Sequence, residues 1–380
     1  MVTRAPYYTD RHDTLRSIVI DFAEKEIAPN AVEWDEAQDF PRELYVKAAD
    51  AGVLGAGFPA EYGGGGGDIF DKLIVKEELA RVGSGGVRAS LMSHGIGLPP
   101  ILKLGDQAMK DRVAPEVLSG EKISCLAITE PSGGSDVANL QTSARRDGAD
   151  YIVNGQKTLI TSGYRADYFT TAVRTGGPGK GGISLLLIER DTPGFSRERL
   201  KKMGWWASDT ATLTFDECRV PVENLIGEEN AGFSGIVQNF NEERMGNTAI
   251  MLGAARACLE VTIDWAQQRE VFGKVLMANQ VVRHKIADMA MRVQATESRM
   301  DNVAWQFERG ESPVAEIALL KCLAAATYEF CAAEAVQLHG AAGIVRGSKA
   351  ERLFRESKIL SIGGGATEVM KDLAARQMGL

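Results

Sequence analysis

The chain has 380 residues, of which 44% are apolar and 25% charged, so it is long enough for two or three domains and too apolar for a disordered or low-complexity protein. Its 43 basic and 51 acidic residues give a formal net charge of -8 with no run rich in lysine or arginine, which argues against nucleic acid as a partner. Apolar stretches such as residues 183–188 are far shorter than the roughly 18 to 20 residues that span a bilayer, and no secretory or peroxisomal signal is apparent. We therefore expect a soluble, cytoplasmic protein that does not enter membranes.

Cysteine and histidine usage argues against disulfides and metal sites. The cysteines are odd in number and form no CxxC pair; they are Cys125, Cys218, Cys258, Cys322 and Cys331. Only four histidines are present, and none lies within a few residues of another or of a cysteine. We expect buried free thiols and no metal ion.

Residues 1–120 have the period of helices. Apolar residues form one stripe along the first candidate helix, namely Leu15, Ile18, Val19, Phe22 and Ile27. The glycine run at residues 62–68 lacks the Lys-Ser/Thr of a phosphate loop and follows no convincing strand, so it is predicted to be a flexible loop between helices. This part of the chain is predicted to be a helical domain.

The period changes to two between residues 121 and 228. Residues 211–220 alternate apolar with polar side chains, and Asn154-Gly155 predicts a hairpin turn between two strands. The pattern indicates a compact β domain.

From residue 229 to residue 380 the helical period returns. Helices are predicted from Phe233 to about Glu270 and from Gln280 to Glu308, and a third is predicted to begin with Ser312 as its N-cap and Pro313 as its first residue. The order of helices, strands and helices contains no βαβ units and no GxGxxG motif after a strand, so any dinucleotide must bind outside a Rossmann fold. A helical bundle is expected.

Three segments, in order along the chain, closely resemble the acyl-CoA dehydrogenase family. The first, LAITEPSGGSDVANLQTSARRDGADYIVNGQKTLITSG at residues 126–163, contains the family signatures TEP-x-(A/G)-GSD and NG-x-K-x-x-IT. The second is REVFGK at residues 269–274 with Gln280, and the third comprises QLHGAAG and RLFRESKILSIGGGATEVM. The resemblance covers essentially the whole chain and implies an α+β fold with an N-terminal helical domain, a middle β-barrel and a C-terminal four-helix bundle.

The resemblance implies an FAD cofactor. Its isoalloxazine ring needs hydrogen-bond donors at N1/O2 and N5, because reduction places negative charge at the first and a hydride at the second. The family positions that approach the flavin are Thr129, Ser135 and Thr161 here, Ser135 lies near the substrate as well, and Leu159 stands where an aromatic residue is often found. By residue type alone, these residues are more typical of ordinary turns and hairpins than of a flavin site, so their assignment depends on the family resemblance.

The resemblance also implies that FAD lies across a subunit boundary. A guanidinium fork suits two phosphates, so Arg269, with Phe272 and Gln280, is expected to reach the pyrophosphate and adenine of FAD in a neighbouring subunit. Four positions of the last segment align with further FAD contacts, which are Gln337, Gly340, Thr367 and Glu368. This segment departs from the family pattern at Ala341 and Ala366, where glycine and a hydroxyl residue are usual. A homo-oligomer, by resemblance a tetramer, is expected.

The catalytic base is expected at an unusual position. Removal of an α-proton beside a thioester needs a carboxylate whose pKa is raised by burial. Many family members carry this glutamate before the terminal Gly-Thr-Ser-Glu segment, where this chain has Gly364. The isovaleryl-CoA and long-chain branches instead carry it directly before an arginine on a bundle helix, and Glu243-Arg244 matches that pair. The resemblance thus assigns the base to Glu243, although composition alone favours a solvated acid.

The remaining roles follow from the same resemblance. The Gly364 N–H is expected to bind the thioester carbonyl, and Arg244 corresponds to an arginine near CoA. The predicted reaction converts an acyl-CoA to a trans-2-enoyl-CoA, with Glu243 accepting the α-proton, FAD N5 accepting the β-hydride and an electron-transferring flavoprotein as the partner. The alternatives on this fold are an acyl-CoA oxidase, a flavin monooxygenase and a non-catalytic protein.

Two features address the acyl group. Gly363 and Gly364 remove two side chains from the substrate wall, which favours a branched or bulky acyl-CoA. Arg88 lies near the segment where glutaryl-CoA dehydrogenases hold an arginine for the distal carboxylate, although the spacing differs by one residue. Arg88 is therefore expected to be exposed or to extend its charged end to solvent, and a dicarboxylic thioester that it would bind is the alternative substrate.

Overall fold

A computed structural model describes residues 6–380, Gln238 without its side chain. The first domain is helical, as predicted. Its helices are α1 (Asp10–Phe22), α2 (Ala31–Ala37), α3 (Glu43–Asp50), α4 (Ile69–Arg81), α5 (Gly85–Leu91), α6 (His94–Gly97), α7 (Pro99–Leu104) and α8 (Gln107–Leu118). In the predicted stripe of the first helix, Val19, Phe22 and Ile27 are buried, whereas Ile18 is exposed.

Charged side chains fix the start of α4. Asp68 accepts hydrogen bonds from the backbone N–H groups of Phe70 and Asp71, as an N-cap residue does. Arg11 forms ion pairs with both Asp68 and Asp71, and His12 Nε2 lies 3.1 Å from Asp68 Oδ1. His12, Asp68 and Asp71 have the composition of a metal-ligand cluster, but each of these three residues already has a protein partner.

The glycine run lies in a loop between helices, but backbone hydrogen bonds fix that loop. Gly65 N–H donates to Gly55 O, and Gly57 N–H donates to Gly66 O, at 2.8 Å in each case. A β-carbon on Gly64 would lie 2.3 Å from the carbonyl oxygen of Phe58, so only glycine permits this approach. The prediction of a loop is confirmed, and the flexibility expected of it is replaced by tight packing.

The middle domain is a curled, mixed sheet. Its strands are β1 (Ser124–Ala127), β2 (Ser143–Asp147), β3 (Asp150–Ile160), β4 (Tyr168–Arg174), β5 (Ile183–Glu189), β6 (Phe195–Arg199) and β7 (Ala211–Pro221). The strand order is β1-β4-β2-β3-β7-β6, and β5 pairs with β4. Burial alternates along β7, in agreement with the period of two, whereas β4 and β5 are buried on both faces.

The hairpin turn predicted at Asn154-Gly155 is wrong. The turn that joins β2 to β3 is at Gly148-Ala149, and Asn154-Gly155 lies inside β3, where the register against β7 shifts. Gly155 has φ of +139°, and a β-carbon there would lie 2.7 Å from Thr142 Cα. A two-residue turn and a β-bulge both favour glycine at positive φ, so the Asn-Gly pair alone does not separate them.

The last part of the chain is a bundle of long helices. Its elements are α9 (Gly232–Gln268), a short hairpin of β8 (Glu270–Val271) and β9 (Lys274–Val275), α10 (Gln280–Glu308), α11 (Val314–His339), α12 (Lys349–Glu356), α13 (Ile359–Ile362) and α14 (Thr367–Gln377). Pro313 rather than Ser312 is the N-cap of α11, so this helix begins one residue later than predicted. The cysteines are free thiols, and all except Cys322 are buried.

Helices α4 and α9 pack closely because two glycines of α9 face α4. A β-carbon on Gly253 would lie 2.1 Å from the carbonyl oxygen of Glu77, and one on Gly246 would lie 2.2 Å from Lys76 Nζ. These glycines are two helical turns apart on one face of α9. The contact joins the first domain to the bundle. Within residues 6–380, no helix is both long and apolar enough to cross a membrane.

Candidate active site

Two segments of the β domain meet at a hydrogen bond between Thr158 and Thr129. The Thr158 N–H donates to the Thr129 carbonyl oxygen at 2.8 Å, which joins the end of β3 to the chain that leaves β1. Gly134 folds back on Thr129, since a β-carbon there would lie 3.2 Å from Thr129 Cγ2. The structure therefore brings Thr129, the exposed Ser135 and the end of β3, with Leu159 and Thr161, to one edge of the sheet.

A buried ion pair supports this edge. Lys157 Nζ lies 2.7 Å from Glu130 Oε1, and the two side chains are 0% and 4% exposed. Glu130 also accepts hydrogen bonds from the N–H groups of Gln141 and Thr142. Burial opposes ionisation of Glu130, but Lys157 and these donors together lower the pKa of its carboxyl group. Both residues belong to the motifs quoted above, yet sequence reasoning gave neither a role; their opposite charges within adjoining motifs were the available signal.

Leu159 has a conformation that suits contact with a flat ligand. It lies at a second register shift of β3, has φ of +58° and is 61% exposed. A branched side chain in the left-handed region is strained, and such strain is typical of functional sites. The hydroxyl groups of Thr129, Ser135 and Thr161 make no hydrogen bond within the described part of the chain. An apolar face beside unpaired hydroxyl donors fits the needs of an isoalloxazine ring.

The expected pyrophosphate residues lie at the far end of α9. Arg269 follows this helix, is exposed and lies over the Trp265 ring at 5.9 Å. The His339 ring stacks on the Trp265 ring, with ring centroids 4.9 Å apart. Gln337 and Gly340 flank His339 and are exposed. Arg269, Gln337 and Gly340 therefore lie at the same end of the packed helices α9 and α11.

The hairpin after Arg269 presents a bare aromatic ring. Phe272 and Gly273 form its turn, both with positive φ, and the Phe272 side chain is fully exposed. Gln280, at the start of α10, is exposed as well. Exposed side chains at a protruding turn agree with a contact outside the subunit.

Thr367 and Glu368 lie apart from this group. Thr367 begins α14, and its carbonyl oxygen accepts a hydrogen bond from Cys322 Sγ near the start of α11. His339 is at the other end of α11, about 25 Å away at 1.5 Å per residue. Within one chain, the expected FAD residues therefore form separate groups. A single FAD site inside one subunit would not need residues so far apart.

Glu243 and Gly364 lie side by side. Glu243 is on α9, and a β-carbon on Gly364 would lie 3.1 Å from its Oε1. The same β-carbon would lie 2.2 Å from Asn247 Nδ2, one turn further along α9. The space left by the glycine is thus filled by Asn247, which contradicts the free volume inferred from Gly364. Gly363 is less crowded, but a β-carbon there would still make a tight contact with Ile359 O, at 3.3 Å.

The environment of Glu243 raises the pKa of its carboxyl group, chiefly through burial of the charge. The Lys76 ammonium is the strongest of the groups that oppose this rise, followed by the Arg244 guanidinium. The Asn247 amide and Lys321 act in the same direction. A carboxylate that is desolvated yet flanked by cations has the properties of a general base for a weakly acidic C–H bond.

Gly364 is held in a loop by a buried lysine. Lys321, on α11, donates from Nζ to the carbonyl oxygens of Leu360 and Gly365, at 2.8 and 2.5 Å. Gly364 has φ of +64°, and its N–H makes no hydrogen bond to any residue between 6 and 380. A free N–H beside Glu243 can bind a carbonyl oxygen. Lys321 was missed by sequence reasoning because it lies outside the three motifs.

Arg244 and Arg88 are cations near this site. Arg244 Nη1 donates to Asn241 Oδ1 at 3.1 Å, while its Nε is buried without a partner. Arg88 is 5% exposed, lies over the Trp205 ring at 4.8 Å, and its Nε and Nη2 have no hydrogen-bond partner. Burial lowers the pKa of Arg88 to about 10, against the opposing effect of Glu356. The expectation of a solvent-facing Arg88 is wrong.

Three family models match successive parts of the chain: the acyl-CoA dehydrogenase N-terminal domain at residues 9–121, the middle domain at residues 125–218 and the C-terminal domain at residues 230–379. The chain belongs to the acyl-CoA dehydrogenase family. It is 35% identical to an acyl-CoA dehydrogenase of Bacillus subtilis (strain 168), over 98% of this chain and 99% of that protein.

Solved structures agree with the family assignment. A crystal structure from Mycobacterium smegmatis superposes with a TM-score of 0.97 at 45% identity and covers 99% of both chains. A glutaryl-CoA dehydrogenase from the same organism, in complex with FADH2, superposes with a TM-score of 0.92 at 28% identity over 98% of this chain and 95% of that one. This acyl-CoA dehydrogenase is a flavin-dependent oxidoreductase with FAD as its cofactor. Thr129, Ser135, Leu159 and Thr161 offer the donors and the apolar surface that the flavin ring needs.

Proposed function

We propose that Glu243 is the catalytic base of this acyl-CoA dehydrogenase and that the Gly364 N–H binds the thioester carbonyl. The observation that carries the proposal is the 3.1 Å between Glu243 Oε1 and a β-carbon on Gly364, since it places a carboxylate beside a free N–H. The raised pKa of Glu243 supports the assignment, because a desolvated carboxylate gains most from accepting a proton.

The chain's own residues divide the reaction between them. A thioester carbonyl bound by the Gly364 N–H withdraws charge from the α-carbon, which acidifies its C–H bond. Glu243 accepts the α-proton, the electron pair of that bond forms the α,β double bond, and the β-hydrogen leaves with its own pair. FAD, when bound, supplies the acceptor for that hydride, and the product is a trans-2-enoyl-CoA. Arg244 is proposed to hold the CoA part of the substrate by charge.

The FAD site is proposed to be shared between subunits. The separation of Arg269, Gln337 and Gly340 from Thr367 and Glu368 supports this, as does the fully exposed Phe272 ring. Arg269, Phe272 and Gln280 would then contact FAD of a neighbouring subunit in a tetramer. An electron-transferring flavoprotein is proposed as the partner that reoxidises the flavin.

The missing side chain at Gly363, where the single near neighbour of a β-carbon would be Ile359 O, supports a branched or bulky acyl group. Gly364 no longer contributes to that argument, because Asn247 fills its space. A second candidate, an acyl chain that ends in a carboxylate, is favoured by Arg88, whose two buried donors lack partners. Buried donors without acceptors are costly, and a substrate carboxylate would satisfy them.

Anaerobic mixing with acyl-CoA tests the base. We expect Glu243→Gln to keep FAD and acyl-CoA binding but to slow flavin bleaching by roughly 10³-fold or more, since an amide cannot accept the proton. Glu242→Gln is the matched control, because the adjacent Glu242 pairs with Lys72 and is expected to retain bleaching. Near-normal bleaching by Glu243→Gln would remove Glu243 from this role.

A further inference from the structure

Three residues of α9 share one face at the candidate base. Gly246 and Asn247 lie three and four residues after Glu243, so all three residues lie on the same side of the helix. This side faces α4 and the loop that carries Gly364. The Glu243 carboxylate is therefore surrounded by groups from α9 itself, from α4 and from the Gly364 loop.

The Asn247 side chain lies next to the Glu243 carboxylate and restricts where that carboxylate can lie. It is 8% exposed, and its Nδ2 is the atom closest to the point where a β-carbon of Gly364 would be, at 2.2 Å, with Glu243 Oε1 next at 3.1 Å. The amide and the carboxylate thus share one small space over Gly364. The Asn247 side chain also opposes the rise in the pKa of Glu243, as a donor to the charged form does.

Lys76 brings a positive charge from α4 into the same region. Its Nζ lies against Gly246, where a β-carbon would approach it to 2.2 Å, so the absence of a side chain at Gly246 makes room for the ammonium group. The Lys76 ammonium group makes no hydrogen bond or ion pair with another residue of the described chain. The charged groups around it are Glu242, Lys72, Glu243 and Arg88.

The charged groups around Glu243 come from three helices. They are Lys76 on α4, Arg244 on α9 and Lys321 on α11. Lys321 is already committed to two carbonyl oxygens, and Arg244 Nη1 to Asn241. Of these three cations, Lys76 is the one whose charged group makes no hydrogen bond to a described residue. Burial lowers the pKa of Lys76 to about 8, so its charge persists at neutral pH.

We propose that Asn247 and Lys76 are positioning residues for Glu243: Asn247 fixes the carboxylate beside Gly364, and Lys76 keeps it ionised before the proton is taken. This inference rests on the proposed role of Glu243 as the base. If Glu243→Gln bleaches normally, the base assignment fails, whereas the variants below test only how that base is held.

The Lys76 half is tested by the pH dependence of flavin reduction, with an unbranched acyl-CoA that carries no second charge. Lys76→Met removes a cation that favours the ionised carboxyl group, so the pKa of Glu243 rises and the acid limb of the rate profile moves up by roughly one pH unit. Gly246→Ala should move the limb in the same direction, because its methyl group displaces the ammonium. Gly95→Ala is the matched control, since its β-carbon would lie 4.0 Å from Lys76 Cε.

The Asn247 half is tested by kcat and KM. Asn247→Ala should lower kcat roughly 10-fold or more at nearly constant KM, because the base loses its fixed geometry. Asn247→Asp keeps the shape but adds a like charge, which raises the pKa of Glu243 and moves the acid limb upwards. Asn302→Ala, a half-buried asparagine of α10, is the control and should change neither.

Either half can be overturned separately. An unmoved acid limb in both Lys76→Met and Gly246→Ala refutes the role of Lys76, as does an effect confined to the KM of a carboxylate-bearing substrate. Unchanged kcat in Asn247→Ala together with an unmoved limb in Asn247→Asp refutes the role of Asn247.

Discussion

Glu243 and Gly364 approach one point in space from two separate parts of the chain, with 3.1 Å between Glu243 Oε1 and a β-carbon on Gly364. A carboxylate carried by either backbone segment would therefore reach the same region. The side chain of Asn247, however, occupies the route from Gly364, and the φ of +64° at Gly364 disfavours any residue with a β-carbon.

The first prediction concerns transfer of the base. Gly364→Glu, made on Glu243→Gln, would carry a carboxylate to the same region, but we expect this double variant to stay inactive because the new side chain clashes with Asn247. Adding Asn247→Ala opens the space, and we expect the triple variant to bleach its flavin at least about 10-fold faster than the double variant. Anaerobic stopped-flow absorbance measures both rates, and equal rates would refute the convergence.

The second prediction concerns the Lys157–Glu130 pair. Lys157→Met leaves Glu130 buried without its cation, which typically costs about 3–5 kcal/mol of unfolding free energy. The edge that carries Thr129 and Thr161 is expected to lose FAD as well. Denaturant unfolding and flavin absorbance measure the two effects.

Two companion variants complete that experiment. Adding Glu130→Gln to Lys157→Met removes the uncompensated charge, so the double variant should be less destabilised than Lys157→Met alone. Lys47→Met, which removes a half-exposed lysine paired with Glu26, should cost far less. Equal losses for the two lysines would contradict a supporting role of the buried pair.

The third prediction concerns the shared cofactor site. Arg269→Ala is expected to lower FAD occupancy and the oligomer fraction together, because the guanidinium is proposed to bind phosphate of a neighbouring subunit. Arg309→Ala is the matched control, since Arg309 also lies over a tryptophan four residues earlier, Trp305, at the end of a helix. Light scattering with flavin absorbance reports both quantities. Full occupancy on a monomer would exclude a shared site.

The fourth prediction concerns Arg88 and the acyl terminus. If a substrate carboxylate satisfies the two unpartnered donors, Arg88→Met should raise the KM for a carboxylate-terminated acyl-CoA by about 10²-fold. The KM for an uncharged acyl-CoA of equal length should change little. A panel of unbranched, branched and dicarboxylic acyl-CoAs decides between the candidates. If the wild-type enzyme has its highest kcat/KM for unbranched medium-chain substrates, both the branched and the dicarboxylic candidates are contradicted.

Periodicity in the sequence predicts the three domains, and the family resemblance assigns Glu243 and Gly364 to one site. Neither predicts Lys76 or Asn247 beside the base. Helical spacing places Asn247 one turn after Glu243, but no motif marks it. The position of Lys76 depends on how closely α4 approaches α9, which Gly246 and Gly253 permit, and no motif marks such a long-range contact. The wrong hairpin turn at Asn154-Gly155 has a similar origin. The local preference for positive φ fits a turn or a bulge, and the pairing of β3 with β7 decides between them.

Helix α9 carries Glu243 in its first third and is followed directly by Arg269, about 39 Å further along the helix axis at 1.5 Å per residue. If Arg269 serves FAD of a neighbouring subunit, then a single rigid rod carries the base of one reaction centre and the phosphate anchor of the next. Tilting or sliding this rod would disturb two centres at once. Cofactor loss from one subunit would then loosen the far end of the rod that aligns the base in its neighbour, so failure would propagate around the assembly rather than stay local.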